Sequence, residues 1–377
     1  MRSRKAFRIK SSSEYSILDA TRFSVQKSKR GNTGRTFPND LYRAMYRILL
    51  CASLFICTAC ASHSRISPTQ QLDIHSFKKE FQYFLKVSKN QDEATVWRNW
   101  QTAVQAKDPI FFQQVVAEAA DTPNWEEKIR ASLKKAWPIL QKYELEIEAE
   151  FEHFPQLLQE NLTIFQKTFP DFDLSQTPVF AVPSLLKFNG KGTEAYGPKA
   201  LAFGIDTIVY FRKEPRFFPR VNAKSNAKVL YSHEMFHIYH GQKQGLASDF
   251  ALSNGTLLND AWNEGLATYV SGLINPAASD ADLLMDANLA ESCKESGETL
   301  LQNFKKIAFE KSNSPKGKEL YRNWFTLASK DQSLPLRAGY CVGLLIARRM
   351  TETGITAIEM ATWPYAEVPS RLEKILN

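Results

Sequence analysis

Histidine is scarce in this chain, six among 377 residues, and cysteine is scarcer still, with five. Cys293 and Cys341 lie far apart without metal-ligand spacing, which excludes a zinc module built on them. Long apolar runs are missing as well. The run Ile48–Ile56 is far too short for a permanent membrane-spanning helix, which needs about 20 residues. A charge surplus in the body of the chain is also lacking, although the overall balance is +8. Residues 1–47 hold 12 of the 48 basic and 3 of the 40 acidic residues, leaving 36 against 37 in the rest. That near-neutral remainder excludes a nucleic-acid footprint.

What is present starts with Met45-Tyr46-Arg47, the Ile48–Ile56 run, and Cys57-Thr58-Ala59-Cys60-Ala61. A short basic start, a hydrophobic stretch and small residues before a cysteine make an export signal of lipoprotein type. Residues 45–59 are then the signal peptide, and Cys60, diacylated, is the first mature residue and the membrane anchor. Cys57 stands where leucine is usual. By resemblance to known sorting signals, Ala61 in place of aspartate implies, for a Gram-negative cell, the outer membrane on its periplasmic side. Residues 1–44, rich in Arg, Lys and Ser, read as an over-extended start or a disordered extension; a mitochondrial transit peptide shares that composition. Beyond Cys60 the chain divides into a polar tether (60–75), a helical region (76–169) and a domain carrying the chemistry (170–377). An oxidising compartment permits a Cys293–Cys341 disulfide, the alternative being two separate core residues.

Residues 233–237 read His-Glu-Met-Phe-His. On a helix, two histidines four apart share one face and can reach one metal ion. Glu234 falls beside them, placed to take a proton from a water that the metal polarises. The surroundings predict that helix, with Ser225 as N-cap, Val229, Leu230, Phe236 and His240 at helical spacing, and Gly241 as a left-handed stop. A buried histidine pair that only packs is the competing reading. A catalytic zinc needs a third protein ligand, and Asn259–Tyr269 reads as a second helix bearing acids, capped by Thr256 and stopped near Asn275-Pro276.

This pair of helices resembles the gluzincin zinc metallopeptidases, in which a glutamate on a later helix completes the metal shell. Asn263-Glu264-Gly265-Leu266-Ala267 matches their local pattern, so the resemblance implies Zn2+ held by His233, His237 and Glu264. Two features depart from the pattern. The 27 positions from His237 to Glu264 imply an enlarged connecting loop. Thr268 stands where an aspartate would orient a ligand histidine, a task that Asp260, one turn earlier, could take. Tyr231-x-His-Glu-x-x-His, Trp262-x-Glu-Gly-Leu-Ala-x-Tyr269 and Arg337-Ala338-Gly339-Tyr340-Cys341-Val342-Gly343 together resemble a bacterial family of predicted zinc-dependent proteases, over roughly residues 175–375. By that resemblance the oxyanion donor comes from a later segment, where Tyr340 is the choice; an ordinary buried tyrosine is the alternative. His240 reads as packing, and Tyr269 as a weaker participant.

The fold class expected is α+β: mostly helical, with a small β-sheet beside a two-helix zinc-binding core. The aromatic positions of 76–169 (Phe77, Phe81, Phe84, Trp97, Trp100, Phe111) read as core, and the acidic run Glu144–Glu152 as a solvated helix face. Strand signals fall at Pro178–Val182 and Ala202–Phe211, separated by the turn-rich Asn189-Gly190-Lys191-Gly192. By analogy residues 205–211 form the sheet edge that pairs with an extended substrate. The functional expectation is a membrane-tethered metallopeptidase acting on polypeptide. A zinc amidase or deacylase on envelope polymers, or a non-catalytic envelope lipoprotein retaining the fold, would share the motifs; an intact Glu234 argues against the last. Expressed from Met45 in a Gram-negative host, the chain should incorporate labelled palmitate and fractionate with membranes, and Cys60→Ala should abolish both. An unlabelled protein left in the cytoplasm would overturn the export reading.

Overall fold

The computed structural model describes residues 71–118, 123–193, 200–213, 223–245 and 255–376. Met45, Cys60 and the signal-peptide stretch lie outside them, as does Thr122, the expected cap before Glu126-Glu127. The elements in chain order begin with β1 (Ile74–Ser76), α1 (Lys78–Ser88), α2 (Glu93–Ala103), α3 (Trp125–Lys142) and α4 (Glu144–Thr168). The sheet then continues with β2 (Val179–Val182), β3 (Gly190–Thr193) and β4 (Ala200–Gly204). Helices complete the chain: α5 (Ile205–Lys213), α6 (Ala223–Lys243), α7 (Leu257–Ile274), α8 (Asp280–Leu283), α9 (Ala287–Lys305), α10 (Pro315–Phe325), α11 (Ala338–Glu352), α12 (Ala357–Ala361) and α13 (Val368–Leu376). The fold is therefore α+β, mostly helical with one small mixed sheet. Its strand order is β1-β2-β4-β3, with the first three parallel and β3 antiparallel at the edge.

One apolar core runs from Leu72 to Leu376 and includes Phe77, Phe81, Phe84, Trp100 and Phe111, so the aromatic positions of the first helices are core as expected. The tether is shorter than 60–75, because Ile74 pairs with Val179 and begins the sheet. The acidic run is not wholly solvated. Glu150 is buried, accepts from Arg212 Nη1 at 2.7 Å and faces the buried Tyr231 hydroxyl at 3.5 Å.

The stretch 202–211 carries two periodicities, and the structure divides it. Ala200–Gly204 is strand, and Ile205–Lys213 is helix. Gly204, the last strand residue, passes so close to the carbonyl of Phe188 that a Cβ there would stand 2.0 Å from it, so only glycine fits. Beyond it Ile205, Ile208 and Val209 bury at helical spacing. Residues 205–211 are accordingly not a sheet edge. The edge strand beside Glu234 is β3, formed by the glycine-rich segment expected to be a loop.

Helix α6 begins at Ala223, so Ser225 lies inside it rather than capping it, and the helix runs past Gly241 to Lys243. The left-handed residue after it is Gly245, with φ of 67°. From Val229 to His240 every side chain is buried. A helix buried on all faces has no apolar stripe to set its rotation; polar contacts do so here. Ser232 Oγ donates to Asn161 Oδ1 of α4 at 3.0 Å and accepts from Asn275 Nδ2, at the end of α7, at 3.0 Å.

Helix α7 begins at Thr256, whose N–H donates to Asn259 Oδ1 at 3.0 Å, and ends at Asn275, as expected. It crosses α11 at a backbone-to-backbone contact. A Cβ on Gly265 would lie 2.0 Å from the carbonyl carbon of Gly343, and one on Gly343 would lie 1.9 Å from the carbonyl oxygen of Ala261. The other flank of α11 is tied to α9 by a disulfide, Cys293–Cys341, which resolves the open alternative for these two residues. Gly343→Ala should lower the unfolding free energy by about 1–3 kcal/mol or more, as overpacking of a rigid contact does. Gly272→Ala on the same α7, which meets only the Leu283 side chain at 3.1 Å, should cost far less. Equal effects in denaturant titrations would remove the crossing from this role.

Candidate metal centre

Helices α6 and α7 pack against each other, and three donor atoms converge between them. His233 Nε2 lies 3.2 Å from Glu264 Oε2 and 3.1 Å from His237 Nε2, while His237 Nε2 lies 3.7 Å from the same oxygen. Ligands about 2.0–2.2 Å from one ion at near-tetrahedral angles stand about 3.3–3.5 Å apart, so this triangle fits a single first-row ion. Buried His233, His237 and Glu264 are thus positioned to bind a metal ion.

Electrostatics agree with the geometry. Burial lowers the pKa of His233 and keeps its imidazole neutral, outweighing the pull of Glu264. For Glu264 burial acts to raise the pKa, but hydrogen bonds to His233 and His237 overcome it and hold the carboxyl well below its ordinary range. A neutral imidazole and an ionised carboxylate are the states in which these groups ligate a metal.

The trio opens on a cleft of about 310 Å³ whose walls include Leu186, Gly190, Glu234, Met285, Arg337 and Tyr340. Glu234 lies directly under β3. A Cβ on Gly190 would stand 2.7 Å from Glu234 Cγ and 2.8 Å from Oε1, so only glycine lets the strand pass this close. The Tyr340 ring lies 6.2 Å from the His233 ring, with the planes 21° apart. Burial, and then the charge of Glu264, push the Tyr340 pKa well above its usual value, so the phenol remains a proton donor. The structure therefore brings Glu234 and Tyr340 to the same cleft as the three ligand positions.

Other expected participants are elsewhere. Asp260 accepts from Ser312 Oγ and makes no hydrogen bond to either ligand histidine; burial raises its pKa to about 6. The Thr268 hydroxyl donates to the Glu264 carbonyl at 2.7 Å within its own helix. His233 Nδ1 has no hydrogen-bond partner among the described residues, so neither residue supplies the outer acceptor that usually orients a ligand histidine. His240 is buried, stacks on Phe236 at 5.6 Å and does not line the cleft, which matches its packing reading. Tyr269 does not line it either.

Three contributors were not anticipated. The β3 backbone forms the roof over Glu234, and its signal was the spacing of Gly190 and Gly192 around one lysine. Asp206, fully buried at the start of α5, accepts from Ser184 N at 2.6 Å and Leu186 N at 2.9 Å. It thereby pins the loop whose Leu185 and Leu186 take left-handed φ values of 58° and 60° and which leads into the cleft wall. Arg337, also left-handed at φ 62°, donates to the Leu284 carbonyl at 3.0 Å and holds its guanidinium 3.9 Å from the Tyr340 ring centroid.

No family model, curated protein or solved structure matches the chain. The protein purified with zinc should carry about one ion per chain, and His233→Ala, His237→Ala or Glu264→Ala should each largely remove it, because two protein ligands hold zinc weakly. Full occupancy in Glu264→Ala would sink its assignment as a ligand.

Proposed function

We propose that this protein is a zinc-dependent metallopeptidase, tethered to the cell envelope by a lipid on Cys60. The observation that carries the reading is the convergence of His233, His237 and Glu264 beside Glu234 in an open cleft roofed by an edge strand. Two imidazole nitrogens and one carboxylate oxygen form a donor set that zinc accepts. When bound there, zinc supplies a Lewis acid that acidifies water and polarises a carbonyl.

The chain's own residues perform the rest. Glu234, held against the β3 backbone, accepts the proton of the attacking water and passes it to the leaving amine. Tyr340, protonated and facing the ligand trio, donates a hydrogen bond to the oxygen that gains charge as the carbonyl is attacked. Its ring is braced by Arg337, which keeps that donor in place before substrate arrives. An extended polypeptide laid along β3, an edge strand of the sheet among the described residues, would pair with its backbone and present successive peptide bonds to Glu234. That edge favours a polypeptide over a carbohydrate envelope polymer, which has no backbone ladder to offer.

No helix among the described residues is long and apolar enough to cross a membrane. In this reading the two or three acyl chains of a bacterial lipoprotein confine the hydrolase to the membrane surface, since one chain alone binds only marginally. Glu234→Gln should keep zinc and fold but lower hydrolysis of unstructured polypeptide by at least about 100-fold, because an amide cannot take the proton. Tyr340→Phe should lower kcat by at least about tenfold with zinc content unchanged. Wild-type turnover in Glu234→Gln would remove it as the base. If the parent protein cuts nothing in a broad peptide library, the peptidase reading falls.

A further inference from the structure

Four arginines among the described residues are half-buried: Arg212, Arg337, Arg348 and Arg349. Three meet a carboxylate. Arg212 pairs with Glu150 at 2.7 Å, Arg348 with Asp280 at 2.6 Å, and Arg349 with Glu298. Arg337 has no carboxylate partner among the described residues, and it is the one that lines the metal cleft. Its guanidinium is steadied by the Leu284 carbonyl, the Tyr340 ring and a hydrogen bond to the Tyr340 hydroxyl, which leave further N–H donors of the planar fork unspent. Holding such a cation half out of water without a counter-ion is unfavourable unless something else supplies the charge.

Among the described residues the rest of the cleft does not supply it. Its acids, Glu234 and Glu264, are committed to the proton and to the ligand trio, while Lys187 and Lys191 add two further cations to the walls. Lys191 is already matched by Glu118 at 2.7 Å. The spacings from Arg337 to the Tyr340 ring and on to the His233 ring place the guanidinium within about 10 Å of the ligand trio, roughly three residues of extended chain. Phe325 and Leu327 line the same cleft and offer apolar surface to the intervening side chains.

We propose that Arg337 is the specificity determinant of the cleft: its free fork takes a carboxylate of the bound polypeptide, within about three residues of the bond to be cut. This rests on the peptidase reading of the site. The carboxylate is either the substrate's own C-terminus, so that short C-terminal fragments are released, or an acidic side chain close to the cut. Lysine cannot replace the fork, because an ammonium offers a point charge and not two parallel donors.

The test uses the full chain carrying Glu234→Gln, loaded with zinc, so that peptides bind without turnover. Fluorescent peptides of one sequence are compared in two pairs, C-terminal carboxylate against amide, and internal Glu against Gln. At least one pair should show the carboxylate form binding about tenfold or more tightly, and the pair that does identifies the source of the charge. Adding Arg337→Gln should bring that ratio close to one with zinc content unchanged, and Arg337→Lys should restore only part of it. No preference in either pair, or a ratio that survives Arg337→Gln, overturns the proposal. If Arg337→Gln loses zinc or folds poorly, the salt dependence of the preference in the Arg337-containing chain decides, since a preference insensitive to salt is not the charge contact proposed. Failure of the parent protein to cleave peptides would count against the peptidase reading while this binding ratio is still measured.

Discussion

Gly265 and Gly343 bring the backbones of α7 and α11 into direct contact, and the cleft is organised around that crossing. Glu264 is the residue before Gly265, and Tyr340 lies one helical turn before Gly343. Their separation is therefore set by two main chains that cannot repack, and not by side chains that could. Groups positioned to bind a metal need placement within about 0.5 Å, and a glycine crossing fixes main-chain separation without relying on rotamers. The Cys293–Cys341 bond acts from the opposite flank, joining the residue after Tyr340 to α9. Helix α11 is thus held from two sides at the level of the site.

Burying two histidines, two glutamates and a tyrosine in one place disfavours charge, and the surrounding framework compensates. Helix α6 is buried all round, so hydrophobicity alone would leave its rotation undetermined. The Asn161–Ser232–Asn275 contacts select one rotation, the one that turns His233 and His237 toward Glu264. On the same helix Tyr231 reaches Glu150, which Arg212 neutralises. Asp206 does comparable work for the loop preceding β3, satisfying two backbone N–H groups that a left-handed turn leaves pointing inward. Helices α4 and α5 thereby belong to the site's support although no residue of α4 lines the cleft.

Much of this was legible in the sequence because it is local. The spacing of His233 and His237 puts both on one helix face, and Thr256 and Asn275 bound the acid-bearing helix at the positions the structure confirms. The α+β character followed from where strand-forming residues were confined. What could not be read was whatever depends on partners remote in the chain. Ile205–Phe211 is rich in β-branched and aromatic residues that favour strand, yet it folds as helix with Ile205, Ile208 and Val209 buried against the remote core. Glu150 looks like its solvated neighbours until Arg212 is placed beside it. Asp260 sits one turn from Glu264 and invited a role beside the histidines, yet it turns to Ser312, which lies 52 positions away.

The edge strand has a further consequence. An edge strand can template pairing with another copy of itself, the usual route to edge-to-edge aggregation. β3 is short, four residues, and its sequence Gly190-Lys191-Gly192-Thr193 gives a would-be partner strand almost no side-chain surface to pack on. Lys191, anchored by Glu118, places a charge in the middle of it, where a second copy in antiparallel register would bring a like charge alongside. The edge thus discourages self-association.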